Sequence, residues 1–254
     1  MTLIATPCRG GTAGSVISGI FGGFCGIAAA LALALLLFPS AQYTALSNYL
    51  QILVAFAGAA VFCRYYLRHE GGSGFLWAAA AFALWGAANV AWYAAVFLGM
   101  GNFPFPGPID LGFVVAILLL SSAYKRIYPR KQVNGPALLG LLVLVLVVPL
   151  AILATQGVTD QSLMILLYFF ACGLLLITAF NYSFTGHPAA LAGTILFALA
   201  FMAYPLREAF FATNSLLAIL GPCVAAGLSF IVLGLLPDGT GTQAAPAESP
   251  QTPE

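Results

Sequence analysis

Charge is what this sequence has least of: eight Lys and Arg against seven Asp and Glu in 254 residues, 6% of the chain. A water-soluble domain carries about 25%. No water-facing surface can be built from so little, so bilayer rules apply. The net charge of +1 leaves no basic footprint for nucleic acid. The five cysteines include no C-x-x-C pair. They read as small buried hydrophobes rather than a disulfide framework or metal site. Cys8 alone precedes the first apolar run, where reversible acylation is chemically open.

The two histidines, His69 and His187, fall at expected helix ends, too few and too peripheral for haem held between helices. The only lysines, Lys125 and Lys131, flank the end of one span, which excludes a retinal Schiff base. No P-loop, H-E-x-x-H or G-x-S-x-G pattern occurs. The sequence therefore assigns no catalytic residue, metal or cofactor, and it favours a protein that is not an enzyme.

What the chain has in abundance is apolar residues, 62% of the total. A spanning helix needs about 20 of them in a row. Eight such stretches are expected, at 15–38, 46–67, 75–99, 109–128, 136–154, 162–183, 189–207 and 215–236. Proline and glycine punctuate them, as at Pro39-Ser40, Gly71 to Gly74, Gly101 to Pro108 and Gly186-His187-Pro188. The fold expected is all-α: a polytopic bundle of eight transmembrane helices over residues 1–236. Residues 237–254, rich in Pro, Thr, Ala and acid, form a disordered cytoplasmic tail. The first apolar run is longer than the 7–15 residues of a cleaved signal, so the first span is expected to be retained.

Loop charges orient the bundle. With the N-terminus inside, the inner segments hold Arg9, Arg64, Arg68, Lys125, Arg126, Arg130 and Lys131, leaving only Arg207 outside. Positive-inside bias then places both termini in the cytoplasm of a multi-pass cell-membrane protein.

Polar groups inside the apolar runs mark candidate sites. In the third span Trp85, Asn89 and Trp92 are four and three apart and share a helix face, with Tyr93 four beyond Asn89. Either this face lines a small-ligand pocket, or Asn89 bonds a neighbouring helix. Before the fourth span, Pro104, Pro106 and Pro108 force an extended approach, and Asp110 falls in the first helical turn. There a carboxylate complements the helix dipole. Alternatively it joins an outer-face ligand site or pairs with Arg207. Arg207 and Glu208 either snorkel to the interface or, if the seventh helix runs on to Phe211, are drawn into the bilayer.

In the first span Ser15, Gly19 and Gly23 are four apart, as are Gly22 and Gly26. This small-xxx-small spacing suits a homodimer or packing on the chain's own bundle. Gly221-Pro222 is expected to kink the eighth span.

The run from Phe75 to Tyr128 resembles the multi-span sensory domains that precede GGDEF, PAS and histidine kinase modules. The likeness lies in a Trp-rich helix with a polar residue, the loop Pro104-Phe105-Pro106-Gly107-Pro108-Ile109-Asp110, and the basic end Lys125-Arg126. This chain departs from the group after the acid, where Leu111-Gly112-Phe113 replaces an aromatic pair. It departs again at Asn89, where an acid is frequent. The resemblance implies a membrane sensory module. Here it would stand alone, since the chain stops at Glu254, and it would signal through a protein partner. The ligand-binding candidates are then Trp85, Asn89, Trp92, Tyr93, Asp110, Arg207 and Glu208, for a small or lipid-like ligand near the outer leaflet. A structural or assembly subunit of a membrane complex is the main alternative. A transporter would lack an ionisable group at the midplane. A lipid-acting enzyme would rest on Asp110 and Glu208 alone.

Overall fold

The computed structural model describes residues 11–68, 72–98, 107–128, 135–183, 187–210 and 219–236. They form eight helices and, among the described residues, no strand. The helices are α1 (Gly11–Leu37), α2 (Ala41–Leu67), α3 (Ser73–Phe97), α4 (Pro108–Ile127), α5 (Gly135–Gln156), α6 (Asp160–Ser183), α7 (Pro188–Phe210) and α8 (Leu220–Leu235). Seven are long and apolar enough to cross a membrane. For the eighth, α8, the structure describes 16 residues, about 24 Å of helix, and residues 211–218 before it lie outside the described part. The chain is a multi-pass membrane protein by this measure.

Local chemistry sets the ends. Helix α2 begins five residues earlier than expected because Ser40 caps it, accepting from the Tyr43 amide at 3.2 Å. Gly157 takes φ +72 after α5, and its amide reaches the Leu153 carbonyl at 2.9 Å. Glycine stops the helix at little steric cost there. Thr159 and Ser162 then bond each other's backbone amides at 3.1 and 2.8 Å and start α6. The expected kink at Gly221-Pro222 depends on residues 215–218, which lie outside the described residues. The pair itself lies in the first turn of α8, after Ile219, where proline's missing N–H costs nothing.

Helix neighbours are α2–α3, α3–α4, α4–α6, α6–α7, α7–α8 and α8–α2. These six helices close a ring. Helix α1 leans on α8 and α2 from outside, and α5 leans on α6. Accordingly α1 and α5 are the least buried of the long helices. The ring is filled rather than hollow. Its centre retains a void of about 10 Å³ among Ala81, Phe82, Trp85, Ile117, Phe197 and Leu228. That is barely room for one water.

Glycine makes the tightest contact, between α7 and α8. A Cβ at Gly193 would sit 2.7 Å from the Gly227 carbonyl oxygen, and one at Gly227 would sit 2.7 Å from the Phe197 amide. Gly234 packs likewise on the Ala190 backbone. The glycines of α1 behave in the opposite way. A Cβ at Gly19, Gly22, Gly23 or Gly26 would meet nothing within 4 Å among the described residues. Helix α1 packs instead through Ile17, Phe21, Ala28, Leu31 and Leu35. Use of these glycines to pack α1 on its own bundle is therefore overturned.

Polar groups are settled in two ways. Buried Ser121, Thr178, Thr194 and Ser229 donate to carbonyls one turn back on their own helices. Tyrosine hydroxyls instead cross between helices. Tyr93 donates to the Ala45 carbonyl at 3.2 Å, and Tyr128 to the Gly234 carbonyl at 2.7 Å. Tyr124 lies 2.6 Å from Thr194 Oγ1 and donates to the Ala190 carbonyl at 3.2 Å. Tyr124→Phe is expected to cost only about 1 kcal/mol, because Thr194 keeps its own bond to Ala190 at 2.8 Å. Thermal unfolding in detergent measures this.

Candidate functional site

The site is built on α4. Gly107 precedes the helix in extended backbone and Pro108 opens it. This puts Asp110 one turn in, where its Oδ2 accepts from the Gly107 amide at 2.9 Å. The expected role of Asp110 as a first-turn acid is met by this bond. Its other oxygen does something the sequence did not disclose: Oδ1 accepts from the Tyr168 hydroxyl of α6 at 2.6 Å. Tyr168 is buried and lies eight residues into α6, about 12 Å along its axis. The carboxylate is therefore tied to α6 as well as to its own helix end.

Tyr168 continues into an aromatic core. Its ring meets Phe201 of α7 at 4.7 Å. Phe201 meets the Trp85 indole at 4.8 Å, and Phe113 and Phe197 close on the same indole edge-to-face at 4.7 and 4.8 Å. Trp85 is 3% exposed, and its Nε1 has no hydrogen-bond partner, the one such buried side-chain atom among the described residues.

Asn89, also buried, lies beside Trp85, but among the described residues it does not bond a neighbouring helix. Its Nδ2 donates to the Trp85 carbonyl at 3.0 Å on its own helix. The expectation of an interhelical amide bond is corrected: the donor is used within one turn of α3. Tyr93 turns toward α2, stacking on Tyr49 at 5.1 Å as well as bonding Ala45. Trp92 is 45% exposed, although it shares a face with Trp85. At that level of the helix the ring's packing no longer covers it.

Helix α7 runs on through Arg207 and Glu208 to Phe210. The side chains of Arg207 and Glu208 lie outside the described residues, and with them the proposed pairing of Arg207 with Asp110. The structure thus links Asp110, Trp85 and Asn89 through Tyr168 and Phe201, and it separates Trp92 and Tyr93 from them. Tyr168, Phe113, Phe197 and Phe201 were missed. The only hint for Tyr168 was one hydroxyl in the run Leu166-Leu167-Tyr168-Phe169-Phe170. Among the described residues no group of three metal-binding side chains occurs.

No protein-family model, curated protein or solved structure matches this chain.

Proposed function

We propose that the chain is a membrane sensory module of eight spans, resident in the cell membrane with both termini cytoplasmic. It takes a small or lipid-like ligand near the outer leaflet, at the end of the bundle that carries Asp110, and signals through a protein partner. The observation that carries this reading is the 2.6 Å bond from Tyr168 to Asp110. Among the described residues each carboxylate oxygen has one donor; Oδ1 has room for a second, and a ligand that donates to it weakens or replaces the bond from Tyr168. Release of that hydroxyl frees a ring that packs on Phe201, and Phe201 packs on Trp85. A local exchange of hydrogen bonds is thereby coupled to the centre of the six-helix ring. Arg207 and Glu208, on the last turn of α7, belong to the same end of the bundle.

The bond itself has a predictable worth. Hydrogen bonds to charged groups contribute about 1.5–3 kcal/mol. Tyr168→Phe should lose that amount, and Asp110→Asn at least as much, because an amide keeps one acceptor oxygen where the carboxylate uses two, for the Gly107 amide and the Tyr168 hydroxyl. A double-mutant cycle by thermal unfolding is expected to show coupling of at least about 1 kcal/mol.

A second reading, a structural or assembly subunit, is favoured by the uncovered glycines of α1. Their open face suits close approach of another helix, from a second copy or another protein. A transporter has less support, since the void at the ring's centre is about 10 Å³.

The test is a crosslinking pull-down from native membranes with wild type, Asp110→Asn and Arg207→Gln. Recovery of a kinase, cyclase or response regulator, changed in yield by either substitution, is the result expected of a sensor. A fixed complex indifferent to both would favour the structural subunit.

A further inference from the structure

The opposite end of the bundle carries a charge arrangement that the sensory reading does not use. The first turn of α3 is wedged between the last turns of α2 and α4. Phe75 stacks on Tyr65 of α2 at 5.9 Å. Gly74 lies so close to α4 that a Cβ there would sit 2.6 Å from Ile127 Cγ1 and 3.1 Å from Arg126 Cβ. Three helix ends are thereby fixed side by side. Four cations project from them: Arg64 and Arg68 of α2, and Lys125 and Arg126 of α4, all exposed.

Arg126 is positioned rather than free. Its guanidinium lies 5.2 Å from the Trp77 ring centroid, and its Nη1 donates to Ser73 Oγ at 3.4 Å. Among the described residues no acid pairs with any of the four. The acids described, Asp110 and Asp160, start α4 and α6 at the other end. Cations with no acid partner among the described residues, beside an indole, on a helix bundle apolar enough to cross a bilayer, match an acidic headgroup at the interface. Each Lys or Arg near the surface attracts such lipid, and Trp77 suits the headgroup depth.

We infer that Arg64, Arg68, Lys125 and Arg126, with Trp77 beneath Arg126, form a binding surface for an anionic phospholipid headgroup at the α2–α3–α4 end of the bundle. The occupant is a lipid of the surrounding leaflet. The guanidinium of Arg126, already oriented by Trp77 and Ser73, meets the phosphate, and the other three cations add attraction around it. This surface is independent of the Asp110 site, and it stands whether or not the sensory reading holds.

Native mass spectrometry of the purified full-length protein tests it, from micelles holding equal phosphatidylglycerol and phosphatidylcholine. Wild type should retain phosphatidylglycerol in preference to phosphatidylcholine by about tenfold or more. Lys125→Gln and Arg64→Gln touch no described side-chain partner and should fold. Each should lower phosphatidylglycerol retention roughly fivefold, as expected for loss of one interfacial charge. Arg126→Gln should lower it further, and Arg126→Lys should restore only part. Excess inorganic phosphate should not displace the lipid. Equal retention of the two lipids, or retention unchanged in all three Gln variants, would overturn the proposal. Displacement by inorganic phosphate would overturn the lipid as occupant.

Discussion

Trp85→Ala is expected to cost about 3–5 kcal/mol of bundle stability, the range for emptying a large buried aromatic site, whereas Trp85→Phe should cost far less. The reasoning rests on what surrounds the indole. Phe113, Phe197 and Phe201 come from α4 and α7 and close on it at 4.7–4.8 Å. Alanine would remove the object on which α3, α4 and α7 converge, and it would enlarge a void that now holds about 10 Å³. Phenylalanine keeps a ring there and also deletes Nε1, which has no hydrogen-bond partner. Loss of an unpartnered polar atom offsets part of the lost volume. Unfolding by heat or denaturing detergent, followed by circular dichroism, separates the two variants. Equal losses for Ala and Phe would mean that the indole N–H holds a partner of its own.

Gly227→Leu should be at least as damaging, beyond the roughly 1–3 kcal/mol typical of overpacking. Side chains around an oversized residue usually rotate away. Here the opposing atoms are backbone: a Cβ on Gly227 meets the Phe197 amide at 2.7 Å and the Gly193 carbonyl oxygen at 2.9 Å. Backbone in a packed helix has nowhere to move, so α7 and α8 must separate. Gly19→Leu is the matched control. It faces open space and should leave the stability of the monomer unchanged. If Gly19→Leu reduces self-association while Gly227→Leu reduces folded yield, the two glycine sets serve different contacts. Folded yield by size-exclusion chromatography, with crosslinking for association, reads both.

Much of the fold was legible because a bilayer imposes a simple code. Apolar runs of span length, separated by Gly and Pro, placed all eight helices. Ser40 was the overlooked signal: a serine after Pro39 starts α2 at Ala41, where polar Gln42, Thr44 and Asn48 had diluted the hydrophobic run. Pairing between helices was not legible. Glycine spacing is visible on α1, yet the close contact is made by Gly193, Gly227 and Gly234 on α7 and α8. Spacing alone does not say which helix arrives opposite.

The candidate site was legible by half for a related reason. Asp110 stood out by charge and by its place after Pro108, both local properties. Its partner Tyr168 lies 58 residues away, and one tyrosine in an apolar helix looks like any other core aromatic. Asn89 showed the reverse: its polarity drew attention, but it is satisfied by the Trp85 carbonyl one turn back, a bond within its own helix.

The coupling of the Asp110 end to the ring's interior is measured most directly by hydrogen exchange on the reconstituted full-length protein, wild type against Tyr168→Phe. If the Asp110–Tyr168 bond anchors the aromatic core, removing one hydroxyl should speed amide exchange in the first two turns of α6. Exchange should also quicken around Phe201 in α7 and Trp85 in α3, well beyond the first turn of α4. Faster exchange confined to Gly107 through Leu111, with α6 and α7 unchanged, would contradict that coupling and leave Asp110 as a helix-end acid.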